Sequence, residues 1–309
     1  MQIKQIGLWI KAVRAPFFTA TIVPVVLGAT LAWHDNSRLN WQKFLLTFIG
    51  VAFIHAGTNL VNDYFDHLSG CDEINKNCTP FSGGSRVIQE KQISAKNIFL
   101  AAITCFILGS AIGLYLNYLS GSYVVLRLGV VGVFLGFFYT VKFFRIVYGG
   151  FGELAVGIGC GLLIVAGTYY VQLEQLPLRV LLVSLPISIL VAMILFINEF
   201  PDYLADKAVG KKTLVVILGQ QRAMTLYHAL LASTYLSIIF LVLFKYLPFF
   251  CLITLFSLPL ALASFDVSRK NFQKIQELLP ANALTIGLHS LVGLLLCAGL
   301  AMDKIFVVK

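Results

Sequence analysis

Long apolar runs alternate with polar breaks along this chain, and the breaks are unequal. A helix needs about twenty apolar residues to span a bilayer. By that ruler nine runs qualify, at residues 15–33, 44–62, 97–116, 123–140, 151–171, 178–197, 223–243, 247–265 and 283–302. The runs are continuous, not alternating, which predicts helices and argues against the strands of a barrel. The breaks after the second and sixth runs, residues 63–96 and 198–222, are long, and those on the opposite side are mostly short. The predicted fold class is all-α: one polytopic membrane domain over 1–309 with nine transmembrane helices. The four-helix offset between the long breaks predicts a duplicated unit, with halves near 1–140 and 141–309.

Composition supports a membrane protein. The 309 residues are 59% hydrophobic and only 12% charged, and the mean hydropathy is +0.87. Soluble domains are nearer half apolar and a quarter charged. Lipid is therefore an expected partner. The net charge of +9 is ascribed to cytoplasmic loops, and no nucleic acid is expected. Of the 23 Lys and Arg, 16 fall with the N-terminus and the loops after the even-numbered helices, against 7 on the other side. The positive-inside rule places that richer face in the cytoplasm, in a bacterial inner membrane, and leaves the C-terminus outside. Met1 to Arg14 is short, mixed and basic, so no cleavable leader is expected. Four of the six cysteines lie in apolar runs; Cys71 and Cys78 share a loop with spacing too wide for a zinc knuckle.

The chemistry concentrates where two apolar runs end in acid. The first motif is Asn62-Asp63-Tyr64-Phe65-Asp66, followed by Gly70 and Asp72; the second is Asn198-Glu199-Phe200-Pro201-Asp202, followed by Asp206. On helices, i,i+3 and i,i+4 spacing puts each set on one face. Acids at a helix C-terminus oppose the macrodipole, so chance placement there is disfavoured. Clustered carboxylates repel unless a cation sits between them. Hard oxygen ligands suit Mg²⁺, which is commonly held by one or two carboxylates plus substrate phosphates. Two acidic clusters on one face thus predict a diphosphate bridged by metal.

Phosphate also calls for cations. Arg86 follows Gly83-Gly84-Ser85, and Lys142 and Arg145 follow Tyr139 on the same face. Lys207, Lys211 and Lys212 follow the second motif. Arg suits bidentate phosphate contact and Lys point-charge neutralisation. Arg14 opens the first span, either as a snorkelling anchor or to hold an anionic substrate. Glu153 enters the fifth span, where it either serves a substrate hydroxyl as ligand or base, or pairs with Lys142 or Arg145. His55 reads as a packed helix residue, and Asn282 as the N-cap of the last helix.

Together these residues resemble a known family. Asn62-Asp63-x2-Asp66-x5-Asp72 and Asn198-x3-Asp202-x3-Asp206, with an intervening Tyr139-x2-Lys142, look like the paired motifs of the UbiA superfamily of intramembrane prenyltransferases. Arg14-Ala15-Pro16, Gly149-Gly150-Phe151-Gly152-Glu153-Leu154, Thr168-Tyr169-Tyr170-Val171-Gln172 and Gly210-Lys211-Lys212-Thr213-Leu214 resemble the 1,4-dihydroxy-2-naphthoate polyprenyltransferases of menaquinone synthesis. Departures are Glu199 where many members are neutral, Pro201 where Arg is common, and Val141-Lys142-Phe143 where prolines are frequent.

The resemblance implies transfer of an isoprenyl chain from a polyprenyl diphosphate to a small aromatic acceptor, with Mg²⁺ as cofactor. It implies that Asp63, Asp66, Asp202 and Asp206 hold metal, that Asp72 adds a ligand or orients a water, and that Asn62 and Asn198 assist. Arg86 and Lys142 would neutralise the leaving group, and Tyr139 and nearby Phe side chains would face the allylic cation. Arg14 would receive an acceptor carboxylate, and Glu153 would help activate the ring. Other acceptors of the superfamily are 4-hydroxybenzoate, homogentisate, and haem or chlorophyll precursors. A cation-coupled transporter should carry its polar residues near mid-membrane. A phosphatidyltransferase should carry an Asp-Gly-x2-Ala-Arg pattern, which is absent.

Overall fold

The computed structural model describes residues 2–141, 144 and 146–307, which form helices and turns and no strand. The helices are α1 (Gln2–Ala12), α2 (Thr19–Asn36), α3 (Trp41–Ser69), α4 (Cys71–Ile74), α5 (Ala95–Ser120), α6 (Val124–Phe138) and α7 (Gly152–Val156). They continue as α8 (Leu163–Leu173), α9 (Leu178–Ala208), α10 (Leu214–Leu218), α11 (Gln220–Leu243), α12 (Leu258–Asn271) and α13 (Ile275–Phe306). A π-helical turn over Gly157–Leu162 joins α7 to α8, and a 3₁₀ stretch over Phe249–Ser257 leads into α12. Among the described residues, eight segments are long and apolar enough to cross a membrane, where nine spans were expected. The fourth expected span is α6, with 15 residues. At 1.5 Å per residue it covers about 22 Å, short of a hydrocarbon core of about 30 Å.

Capping chemistry sets several of the ends. The Asn40 side chain accepts from Lys43 N at 3.0 Å and opens α3. Ser94 accepts from Asn97 N at 3.2 Å and opens α5. Gly70, at φ 75°, closes α3 in the left-handed conformation that glycine adopts at least cost. Helices α3 and α9 run on to Ser69 and Ala208, past the expected ends at 62 and 197. Both acidic motifs therefore lie on helical turns, not in the loops that follow.

Two apolar cores hold the bundle. The larger joins α2, α8, α9, α11 and α13 through residues such as Leu27, Ile187, Met193, Tyr227 and Leu288. The smaller packs Leu60 and Val61 of α3 against Ile98 and Ala102 of α5, with Ala12 and Val87. At the end of the bundle away from the acidic motifs, Asp35 accepts from Arg179 Nη1 at 2.6 Å and from the Tyr169 hydroxyl at 2.8 Å. His34 bridges Asp35 and Asp303 at 3.0 and 2.9 Å. This network ties the ends of α2, α8, α9 and α13 together.

Candidate active site

The two acidic motifs meet. A cavity of about 750 Å³ takes its polar end from Asn62, Asp66 and Asp72 on one side and Asn198, Glu199, Asp202 and Asp206 on the other. Arg14, Asn75, Tyr139 and Lys211 line the same end. The rest of the wall is mostly apolar, from α3, α5, α6, α8 and the π-helical turn, with Gly109, Gly132, Val133, Leu163 and Gly167 among its residues and Thr47, His55, Thr58 and Thr168 among the polar exceptions. Glycines on the facing helices leave room where side chains would otherwise fill the space.

Each acid is held by a donor distant in sequence. Asp63 forms an ion pair with Arg14 and accepts from Ser85 N at 3.2 Å. Its carboxylate is turned to these partners and does not line the cavity. Lys211 Nζ stands 3.4 Å from Asp66 Oδ2 and 3.7 Å from Asp206 Oδ1, so one ammonium bridges both motifs. Asp202 accepts from Asn75 Nδ2 at 2.7 Å and Gly83 N at 3.1 Å. Cys71 Sγ donates to Asp206 at 3.4 Å. The segment after α3 thus folds back as a set of donors that close the site from its polar side.

Arg14 sits in the left-handed region at φ 54°, which is uncommon for a residue with a side chain. The Asn59 side chain, donating to Val13 O at 2.8 Å, fixes the preceding carbonyl. Arg14 also donates to Asn62 Oδ1 at 3.1 Å. Its guanidinium is therefore part of the motif and not a free surface anchor. Gly84, at φ 76°, lies so close to Asp72 that an added Cβ would stand 2.5 Å from Asp72 Oδ2. The bare backbone is what lets this turn approach the carboxylate.

Electrostatics follow from burial. Burial pushes the Asp72 carboxyl up to about 8, with the Asp66 and Asp63 charges adding to it. Burial opposes the charge on Lys211, but Asp206 and Asp66 outweigh it and hold the ammonium well above its usual range.

Several expected residues stand elsewhere. Arg86 donates to the Asp72 backbone carbonyl and is not among the residues lining the cavity. It braces the loop instead of reaching the expected leaving-group position. Glu153 lies behind Glu199, outside the lining. Lys142 falls outside the described residues. Asn282 is not an N-cap: it lies about a quarter of the way along α13 and is fully buried. Sequence reasoning gave no special weight to Lys211 and passed over Asn75. The hint for Lys211 was its place between Gly210 and the N-cap Thr213, a tight turn pinned to the end of α9.

Asn282 explains an irregularity in the second motif. Pro201 lies inside α9 and has no N–H for the carbonyl of Ile197 one turn earlier. Asn282 Nδ2 donates to that carbonyl at 3.2 Å and to Asn198 Oδ1 at 2.7 Å. One amide from the last helix repairs the ladder and aims Asn198. Asn282→Leu leaves both acceptors unpaired in the core, at about 1–3 kcal/mol each. The variant is expected to unfold at lower temperature in detergent and to lose turnover; an unchanged melting temperature and rate would refute this assignment.

The acids fit a hard divalent cation. Asp66 Oδ1 is buried without a hydrogen-bond partner, and the oxygen-rich donor set suits Mg²⁺. Among the described residues no three acids, His or Cys converge into a ready metal cage. That agrees with an ion completed by substrate phosphates.

Comparison with known proteins agrees with this geometry. Residues 21–300 match the model of the UbiA prenyltransferase family. The chain is 32% identical over 235 residues to a 1,4-dihydroxy-2-naphthoate octaprenyltransferase of Bacillus subtilis, covering 76% of this chain and 73% of the relative. It is 28% identical over 293 residues to a 2-carboxy-1,4-naphthoquinone phytyltransferase of Synechocystis, covering 94% and 92%. Among solved structures, a UbiA homologue from Archaeoglobus fulgidus bound to GPP and Mg²⁺ superposes with a TM-score of 0.66 at 15% identity, covering 94% of this chain and 99% of that one. With a family match across most of its length and the paired acidic motifs at one cavity, this integral membrane chain belongs to the UbiA prenyltransferase family.

Proposed function

We propose that this protein transfers a polyprenyl group from its diphosphate to 1,4-dihydroxy-2-naphthoate, with Mg²⁺ as cofactor. The observation that carries the reading is one cavity with two acidic motifs at its polar end and an apolar wall beyond. A diphosphate needs the first and a long isoprenyl chain the second. The names of the relatives support the naphthoate acceptor. Polar groups gathered at one end of the cavity argue against a transporter with a mid-membrane site.

In this reading Asp66, Asp72, Asp202 and Asp206 hold the cation, with Asp63 keeping Arg14 in place beside them. Mg²⁺ supplies charge neutralisation to the diphosphate as it departs. Lys211 and Arg14 add fixed positive charge at the same end. The bond from the allylic carbon to the diphosphate oxygen breaks, a bond from that carbon to a ring carbon forms, and that ring carbon gives up its own substituent, a proton or the carboxylate as CO₂, to restore aromaticity. The apolar wall excludes water from the allylic cation, and the lining rings of Phe134, Phe138 and Tyr139 offer it π-faces. The excess of Lys and Arg on the motif side supports a cytoplasmic orientation for that face.

The test is incubation of membranes holding the full chain with radiolabelled farnesyl or longer diphosphate, Mg²⁺ and a panel of acceptors. Prenylated naphthoate is the expected product, with little from 4-hydroxybenzoate or homogentisate. Equal labelling of a benzoate or homogentisate ring would overturn the acceptor. Absence of any prenylated product would overturn the reaction.

A further inference from the structure

A second carboxyl pair lies beside the metal-holding acids, with Glu199 lining the polar end of the cavity and Glu153 behind it. Glu153 begins the fifth span on α7, and Glu199 lies on α9, which α7 packs against. They are only 4% and 5% exposed. The two carboxyls lie against each other, placed to share one proton, with the Leu214 backbone on the Glu153 side; no other side chain among the described residues donates to either. Among the described residues, Lys211 is engaged with Asp66 and Asp206, and Arg14 with Asp63. Buried polar atoms are nearly always paired, and an unpaired acceptor is costly. Glu153 can give Glu199 one shared proton, and the other Glu199 acceptor faces the cavity, which Glu199 lines and Glu153 does not.

The cavity reaches this pair. Glu199 lines it, together with Tyr139, Ala155, Val156 and Thr213. Gly152, next to Glu153, lets the Tyr139 ring in close: an added Cβ there would stand 3.1 Å from the Tyr139 hydroxyl oxygen. An aromatic floor beside an open acceptor is the chemistry that receives a flat ring bearing hydroxyl donors. A diphosphate has only acceptors to offer and would be repelled here. The acidic motifs and the Glu pair thus sort the two substrates by the sign of their hydrogen-bonding groups.

We infer that Glu199, held in position by Glu153, binds a ring hydroxyl of the aromatic acceptor and makes the enzyme specific for a hydroxylated ring. The inference rests on the prenyl-transfer reading above. Glu199 touches the acceptor, and Glu153 is a positioning residue that acts through it. A site built to hydrogen-bond a substrate hydroxyl rejects the analogue that lacks it far more strongly than an apolar site does.

The experiment uses the purified full chain with Mg²⁺ and farnesyl diphosphate. Acceptors are 1,4-dihydroxy-2-naphthoate and its two monohydroxy analogues, 1-hydroxy- and 4-hydroxy-2-naphthoate. Glu199→Gln is expected to raise the acceptor KM roughly ten- to hundredfold, the usual effect of losing one charged hydrogen bond. The KM for farnesyl diphosphate should stay as in the wild type, which also reports that the variant is folded. The ratio of kcat/KM between dihydroxy and monohydroxy rings should fall towards one for the analogue lacking the recognised hydroxyl. Intrinsic ring reactivity cancels, because the ratio is compared between variant and wild type. Glu153→Gln should shift the ratio the same way by less, and should add nothing in the Glu199→Gln background.

An unchanged ratio in Glu199→Gln, with normal farnesyl diphosphate KM, overturns the inference and leaves the reaction standing. If Glu199→Gln does not fold, Glu153→Gln decides on the same ratio. If the wild type prenylates no naphthoate, the proposed acceptor fails. The ratio is then read with homogentisate against 3-hydroxyphenylacetate, where an unchanged value again overturns the hydroxyl role.

Discussion

Asp202→Ala is expected to lower turnover about a thousandfold or more, a loss of the size seen when fixed electrostatic stabilisation of a leaving group is removed. The protein should still insert, because Asp202 lies in the last two turns of α9, past its long apolar stretch. Two causes are possible for such a loss, and the structure separates them. Asp202 accepts from Asn75 Nδ2 and Gly83 N, so it anchors the loop after α3 as well as offering oxygens to a cation. Asp202→Asn keeps one carbonyl oxygen for the Gly83 amide and removes the charge. If cation binding dominates, Asn is nearly as inactive as Ala, and the residual rate of Asn needs more Mg²⁺ for half-maximal activity. If anchoring dominates, Asn recovers most of the rate and Asn75→Ala is as damaging as Asp202→Ala. The first outcome is expected, since Asp66 and Asp206 face the same cavity with an oxygen of Asp66 still unpaired. Wild-type turnover in Asp202→Ala would remove the metal-site reading altogether.

The sequence made the long spans legible for a simple reason. Bilayer thickness imposes a length on apolar runs that no soluble core imposes. The boundaries were less legible where acids follow the apolar run. Asp63, Asp66, Asp202 and Asp206 look like helix-ending polarity, but Arg14 and Lys211 neutralise several of them and the helices continue. Arg86 was expected at the phosphate because it follows Gly83-Gly84-Ser85 on the motif face and Arg suits bidentate phosphate contact. In the fold the backbone amides of that loop serve Asp63 and Asp202, while the Arg86 side chain braces Asp72. Contacts such as Asn282 with Asn198 and Asn75 with Asp202 join residues more than eighty positions apart. No local pattern announces them. Glu199 was visible only as a departure from the family's neutral residue, and its meaning came from finding Glu153 against it.

Lys211→Met is expected to cost both stability and catalysis, and the two losses can be read apart. Its ammonium lies within 4 Å of one acid from each motif and is the charge that lets them approach while the site awaits substrate. Breaking a buried ion pair by removing one partner leaves carboxylates uncompensated, at about 3–5 kcal/mol in unfavourable cases. A lower melting temperature in detergent follows, and Mg²⁺ should restore part of it, because the cation replaces the lost positive charge. The catalytic loss has another origin. A diphosphate accumulating charge as it leaves would lose a fixed cation, and one charge-assisted hydrogen bond corresponds to roughly ten- to hundredfold in affinity. Inhibition by inorganic pyrophosphate measures that contact without chemistry. Lys211→Met should weaken it at least tenfold, and Lys211→Arg, which keeps the charge, should weaken it less. If pyrophosphate inhibits the folded Lys211→Met protein as well as it does the wild type, the lysine serves only to pair the motifs. The leaving group would then be neutralised by Arg14 and the metal alone.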